Sequence, residues 1–500
     1  MSNEAQVGNP NEHLELLSPV PVWHFFRLLC NTPRPSHQEE AILAKIQQFA
    51  EQRGFDTSRD EGGNLLVKRP ATPGYEHVPV VTLQSHVDMV SQADVEHDFS
   101  RDPILTEVRD GWLWAKGTTL GADNGIGVAG ALAVLADDEL VHGPLEALFT
   151  VEEETSMGGA SRLAPDWLQG RYLLNMDTEE RGEVCIGCAG GVHVQINEHF
   201  VEQELDDQWS FVTLSVHGLN GGHSGVEINQ QKGSANQLLP RALLSVLDAH
   251  EEGSVAIASY QGGEMSNAIT RSASAVIAVK HADVAALSTH VAELASTFKK
   301  ELAEVDAAVA VTVSSDAPRQ ATLSTEDSAR FIRLLGALPY GVERYSDEVP
   351  GVVETSNNIG VVQLNGGHLN LDAMVRSLRD SAALALAARI EGLARLGGFS
   401  AESTSFYPGW NPIPHSPLLT RFCDIHTQVE GHAPAVKVIH AGLECGIIGA
   451  KYPHLEMISF GPTIKGPHSP SERVELAAVE AFWTLLRDTI ESLAKEPLPA

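Results

Sequence analysis

The spacing of apolar residues changes period along the chain, and the changes divide it. Ser36-His37-Gln38-Glu39 has the form of a capping box, and apolar positions at helical spacing follow to about Arg53, where Gly54 ends the run. Residues 64–68 and 78–83 are short β-like runs. Residues 124–136, rich in Ala, Val and Leu, predict a helix, and 145–151 and 171–176 predict two further strands. Strands alternating with helices indicate an α/β layer structure.

After about Val194 the pattern changes. Residues 211–216 alternate as a half-buried strand does, 235–249 and 284–303 read as surface helices, 275–279 and 309–313 are β-rich, and 370–375 alternate again. The α/β pattern returns at about Tyr407 and ends in a long helix over 474–494. The expected fold class is therefore α/β. It has a discontinuous catalytic domain (1–193 and 407–500) with a mixed, mainly parallel sheet flanked by helices, and an inserted α+β lid domain over 194–406.

Composition narrows the class. A chain of 500 residues exceeds what one hydrophobic core holds, in keeping with two domains. A formal charge of −32 argues against nucleic acid and anionic membranes as partners. No basic start followed by an apolar region marks a secretory signal, and the strongest apolar stretch, 126–136, is too short to span a bilayer. Five cysteines, an odd and low number, fit a reducing cytoplasm.

The chemistry lies where the apolar runs end. His86 follows the run 78–83, Glu154 closes Glu152-Glu153-Glu154 after 145–151, Asp177 follows 171–176, and His468 stands between two prolines shortly after 457–460. In open α/β sheets, sites gather outside the carboxyl ends of strands. The fifth candidate, Asp123, precedes the helix 124–136 among Gly121, Gly125 and Gly127, where helix capping is the simpler role. Its two oxygens also suit it to bridge two cations. Two imidazoles and three carboxylates form a mixed N/O set that suits two zinc-like ions better than one. Asp88 lies on the same side of the chain as His86 and can accept the second imidazole N–H. Three adjacent glutamates at the end of an apolar strand repel one another, so their burial calls for cations. One carboxylate on a metal beside another free to take a proton is what metal-assisted hydrolysis requires.

Other chemistries find little support. Gly125-Ile126-Gly127-Val128-Ala129-Gly130 matches the dinucleotide fingerprint, but no convincing strand precedes it. There is no Gly-x-Ser-x-Gly elbow, no His-Glu-x-x-His and no Walker A motif.

These motifs resemble those of the co-catalytic zinc aminoacylase, dipeptidase and carboxypeptidase family, and within it the bacterial aminoacyl-histidine (Xaa-His, or cytosol non-specific) dipeptidases. The resemblance runs over about 17–493. It rests on Gly117-Thr118-Thr119-Leu120-Gly121-Ala122-Asp123-Asn124-Gly125-Ile126-Gly127, Gly221-Gly222-His223-Ser224-Gly225, His440-Ala441-Gly442-Leu443-Glu444-Cys445-Gly446 and His468-Ser469-Pro470, among others. One departure is Ser156, where relatives often carry Gly.

The resemblance implies two zinc ions per chain, with manganese or cobalt able to serve in the same ligands. Asp123 would bridge them, Glu154 and His468 completing one site and His86 and Asp177 the other. It implies Glu153 as general base and acid, and Asp88 as the residue that orients His86. It also implies a cis Asp123–Asn124 peptide bond. From the lid, His223 would polarise the scissile carbonyl and Arg376 would pair with the substrate carboxylate, with Asn267 and Glu444 as further substrate-binding residues. The expected substrate is a dipeptide, such as β-Ala-His or another unblocked Xaa-His. A related deacylase, a short-peptide carboxypeptidase and an inactive metal-binding scaffold are the alternatives. A homodimer through the lid is expected. The lid's length suggests that His223 folds back over the metals of its own chain.

Overall fold

In the computed structural model, which describes residues 10–315 and 317–498, the chain forms two compact units. One contains the residues up to Gly187 together with Trp410–Val438 and the residues from Leu443 onward. The other contains Cys188–Gly409 and Ile439–Gly442. The first break falls before 194 because Gly190–His199 is a single strand, paired on both sides within the second unit. Ser400–Tyr407 is likewise a strand of that unit, which carries it past 406.

The first unit is built on an eight-stranded sheet. At its centre Leu145–Thr150, Val81–His86, Tyr172–Asn175 and Glu456–Ser459 run parallel. Asp56–Arg59, Leu65–Arg69 and Glu183–Cys188 add antiparallel pairings outside them. Val81–His86 and Leu145–Thr150 are buried at every position, including the polar Thr82, Gln84, Ser85, His86, Glu146 and Thr150, as befits central strands of a sheet covered on both faces. The parallel register sets His86 level with Thr150 and Gln84 level with Asn175, so the chain leaves several strands at one edge.

Helices Val20–Cys30, Ala122–Ala136, Pro417–Glu430 and Leu476–Lys495 contribute to the same hydrophobic core. Ala122–Ala136 is buried over nearly its whole length, and its small residues allow close approach. A Cβ at Gly130 would lie 2.9 Å from the Phe482 ring. Residues 474 and 475, expected in the last helix, instead belong to the short strand Arg473–Glu475, which pairs with Trp112–Ala115. The capping-box reading at Ser36 does not hold either. Helix Glu40–Gln52 starts without a side-chain cap, and the Ser36 hydroxyl donates to Asp88 Oδ2 at 2.7 Å.

The second unit is a nine-stranded sheet whose described pairings are all antiparallel, with helices Ala235–Ala249, Val284–Glu301, Thr325–Ala337 and Asp380–Leu396. Its core is separate, formed where the inward residues of the sheet meet these helices. A small antiparallel pair, Gly222–His223 with Ala268–Ile269, carries His223. No described helix of the chain is long and apolar enough to cross a membrane.

Candidate active site

Five side chains far apart in sequence converge at the edge of the first unit's sheet. Asp123 stands at their centre. Its Oδ1 lies 3.2 Å from His86 Nε2, which is itself 3.4 Å from Asp177 Oδ1. Its Oδ2 lies 3.4 Å from His468 Nε2, which is 2.9 Å from Glu154 Oε2. The two oxygens of one carboxylate thus face two separate His–carboxylate pairs. Each triad, and also His86 with Glu153 and Glu154, offers ligand atoms close enough to share a metal ion. Of the three adjacent glutamates, Glu152 turns away to Arg162 at 3.0 Å. Glu153 places Oε2 3.9 Å from His86 Nε2.

The charges of this cluster are unbalanced, and that is the test of whether it fits a metal. Burial alone would lower the His86 pKa, but Asp177 and hydrogen bonds to Asp123, Asp177 and Asp88 outweigh it and hold it well above its usual value. Hydrogen bonds to Asp123 and Glu154 raise His468 to about 11. Burial pushes Asp177 up to about 6, Glu179 to about 8, and Glu153 well above the carboxylate range. A pocket that draws protons onto both imidazoles and several carboxylates is one in which positive charge is short. Divalent cations on N and O donors would supply it.

The supports are as specific as the cluster. Asp88 Oδ1 is 3.4 Å from His86 Nδ1, leaving Nε2 toward Asp123. The same carboxylate accepts the amides of Glu153 and Glu154, at 3.1 and 3.2 Å, so it also holds the turn that carries them. Asn124, joined to Asp123 by a cis peptide bond, donates from its side chain to Asp177 and to the Met176 carbonyl. Asp123 is not the cap of its helix. The amides of Leu120, Gly121, Ala122 and Asp123 are taken by the carboxylate of Glu472. Burial pushes that carboxyl up to about 7 against the pull of the amides.

Glu444 is placed differently from the substrate-binding position expected of it. It is 1% exposed at the start of helix Glu444–Lys451, and its Oε2 accepts from Gln84 Nε2 at 2.7 Å and Thr150 Oγ1 at 2.8 Å. Gln84 in turn accepts from Asn175 at 2.5 Å. The result is a buried polar ladder across three parallel strands, just inside the ends that lead to His86, Glu153 and Asp177. Glu444 anchors the strands from within, and the reason is its burial: a ladder of polar groups under a sheet needs an acceptor there.

On the second unit His223 is half-buried, and its Nδ1 accepts the amides of Gly225 and Val226 at 3.0 and 3.1 Å. An Nδ1 that accepts twice carries no proton, so the neutral ring bears its proton on Nε2. Burial first, and then Arg376, lowers the His223 pKa and favours that neutral form. Arg376 is 5% exposed and donates from Nη1 to the Tyr407 hydroxyl at 3.0 Å. Asn267 is exposed, and its carbonyl accepts the Ser224 amide at 2.8 Å. His440, quoted in the motif but given no role from sequence, is buried in this unit with Nε2 2.8 Å from Ser356 Oγ. Burial, then Arg376, drives its pKa down to about 3.

Residues 82–492 match the peptidase family M20/M25/M40. The cytosol non-specific dipeptidase of Escherichia coli (strain K12) is 42% identical over 482 residues, which cover 96% of this chain and 99% of that protein. The solved aminoacylhistidine dipeptidase from Vibrio alginolyticus superposes with a TM-score of 0.89 at 40% identity, covering 97% of this chain and 99% of the other. The aminopeptidase PepT from Bacillus cereus ATCC 10987 shares the fold at a TM-score of 0.56 with 16% identity, covering 96% of this chain and 100% of its own. The family match takes in all five converging side chains, and the full-length likeness extends it to nearly the whole sequence. The chain belongs to the peptidase family M20/M25/M40 and is a hydrolase of that family.

Proposed function

We propose that the chain hydrolyses the peptide bond of unblocked dipeptides, with Xaa-His among its substrates, using two divalent metal ions. The observation that carries this reading is the division of Asp123: one oxygen toward His86 and Asp177, the other toward His468 and Glu154. His86, Asp177 and Asp123 would hold one ion, and His468, Glu154 and Asp123 the other. Zinc suits these donors, and manganese or cobalt can serve in them. When bound, the ions supply Lewis acidity toward a carbonyl and make water a better nucleophile at neutral pH.

The chain's own groups do the proton work. Glu153 lies beside the cluster and is not needed to complete either triad, so it accepts a proton from the attacking water. It then returns that proton to the leaving amine, so that one dipeptide and one water give two free amino acids. Asp88 keeps His86 in the tautomer that presents Nε2. His223, with its proton on Nε2, is suited to donate to a carbonyl oxygen as charge builds on it. Arg376 is suited to pair with the substrate carboxylate and Asn267 to bind substrate.

The likeness to a cytosol non-specific dipeptidase and an aminoacylhistidine dipeptidase supports the substrate class and a cytoplasmic setting. We also assign a homodimer formed through the second unit, with His223 acting in its own chain. Mixing His223→Ala with Glu153→Ala chains should restore no activity. The experiment that tests the substrate is a rate panel of β-Ala-His, Gly-His, an N-acyl amino acid and a tripeptide. The two dipeptides should turn over fastest. A preference for the N-acyl compound would point to a deacylase, and a preference for the tripeptide to a carboxypeptidase.

A further inference from the structure

Glu472 and Arg34 are buried charged residues, each 2% exposed, and neither belongs to the five-residue cluster. Glu472 Oε2 accepts the amides of Leu120 and Gly121 at 2.7 and 2.9 Å, and Oε1 those of Ala122 and Asp123 at 2.7 and 3.2 Å. Four successive amides aimed at one carboxylate form an anion-binding concavity, and such charge-assisted bonds are stronger than neutral ones. Both oxygens are engaged, so Glu472 is unsuited to be a metal ligand. From the other side, Arg34 Nη2 donates to the Gly121 carbonyl at 2.5 Å. Its Nη1 donates to the carbonyls of Val87 and Asp88 at 2.9 and 3.0 Å. Gly121 has φ of +68°, and a Cβ there would run into Arg34 Nη2 and lie 2.9 Å from Met89 Sδ. The glycine is what lets the two charges close on one peptide.

We propose that Glu472 and Arg34 are positioning residues: they grip loop 120–123 from its amide and carbonyl sides and so set where Asp123 presents its two oxygens. The grip joins three ligand-bearing segments. Arg34 ties loop 120–123 to the chain just after His86, and Glu472 ties it to the segment that carries His468 four residues earlier. A carboxylate shared between two metal positions tolerates displacement of only about 0.5 Å. The loop's amides are therefore held by a built-in anion rather than left to water. This inference rests on the two-metal reading above.

The test uses the full chain, stripped with a chelator and titrated with zinc in competition with a chromophoric chelator. The wild type should bind two ions. Glu472→Gln, which turns an NH2 toward donors, should bind at least one ion about 10–100-fold more weakly. Its kcat should fall with KM little changed, whereas a purely structural role would lower the melting temperature and leave the folded protein's zinc affinity alone. Glu472→Asp keeps the charge and should recover part of the affinity. If Glu472→Gln does not fold, Glu472→Asp decides, because its shorter chain cannot reach all four amides and should still weaken binding. Wild-type zinc affinity and kcat in the folded variant would overturn the proposal while leaving two wild-type ions intact. Fewer than two ions in the wild type would defeat the two-metal reading, and the proposal with it.

Discussion

Replacing Glu444 separates an anchoring role from a substrate-binding one. Glu444→Ala removes two buried hydrogen bonds, from Gln84 and Thr150, at about 1 kcal/mol each. It also leaves a cavity beneath the strand ends, and truncations of similar size cost about 2–5 kcal/mol. The sum, about 4–7 kcal/mol, corresponds to a fall in melting temperature of about 4–7 °C for a 500-residue chain melting as one unit. Glu444→Gln keeps the volume, and its amide oxygen can accept both bonds. Its NH2 takes the place of Oε1, which has no hydrogen-bond partner among the described residues, at a cost of about 1–3 kcal/mol.

Against that cost stands a buried charge no longer needed. Burial raises the Glu444 pKa from 4.5 to about 7. In the metal-stripped protein the folded state therefore holds a proton that the unfolded state has released. The stability this carboxyl contributes is present below its unfolded value and is lost as pH rises through about 7. Glu444→Gln should remove that slope and melt within a few degrees of wild type near neutral pH. The assay is thermal melting across pH 4–8, paired with steady-state kinetics on a dipeptide. A Glu444→Ala variant with unchanged melting temperature and a raised KM would refute the anchoring role and return Glu444 to the substrate.

Two further outcomes follow from the site. Glu153→Gln should lower kcat by about 10²–10⁴-fold while zinc stoichiometry stays that of wild type; unchanged turnover would remove Glu153 as the proton carrier. His440 has a folded pKa of about 3 against 6.5 unfolded, so the unfolded chain binds the extra proton as pH falls. Stability should then drop by about 1.4 kcal/mol per pH unit below roughly 6.5. His440→Gln should flatten this acid limb, and parallel limbs for variant and wild type would contradict a buried neutral imidazole.

Four of the five candidate ligands legible in the sequence lie at or shortly after the ends of apolar runs, and the fifth, Asp123, is read from its place among glycines before a helix. His86, Glu154 and Asp177 follow strands whose parallel register brings those ends to one edge, so strand pattern and ligand chemistry point the same way. Glu472 was not legible, because a carboxylate that binds backbone amides leaves no periodicity and no motif. One signal did exist. A buried helix start has amides needing acceptors, and loop 120–123 contains no side chain of its own to cap them except Asp123, which the cluster uses. Ser36 was misread for the opposite reason. Its capping-box spacing is local, whereas its hydroxyl is claimed by Asp88, fifty-two positions away. Glu444 sits in a motif whose neighbour His440 lies in the other unit, and only the structure separates the buried anchor from the residues of that unit. The unit boundary was missed at 190–193 because a long strand begins there in a run of glycine and valine that resembles the preceding strand.

The measurement closest to the central claim is activity against bound metal. The protein is stripped with a chelator, assayed on β-Ala-His and Gly-His, and titrated with zinc while bound ions are counted. Hydrolysis should be lost in the stripped protein and recover fully as the second ion per chain binds. Full dipeptidase activity in the metal-free protein, or saturation at a single ion, would contradict the two-metal reading.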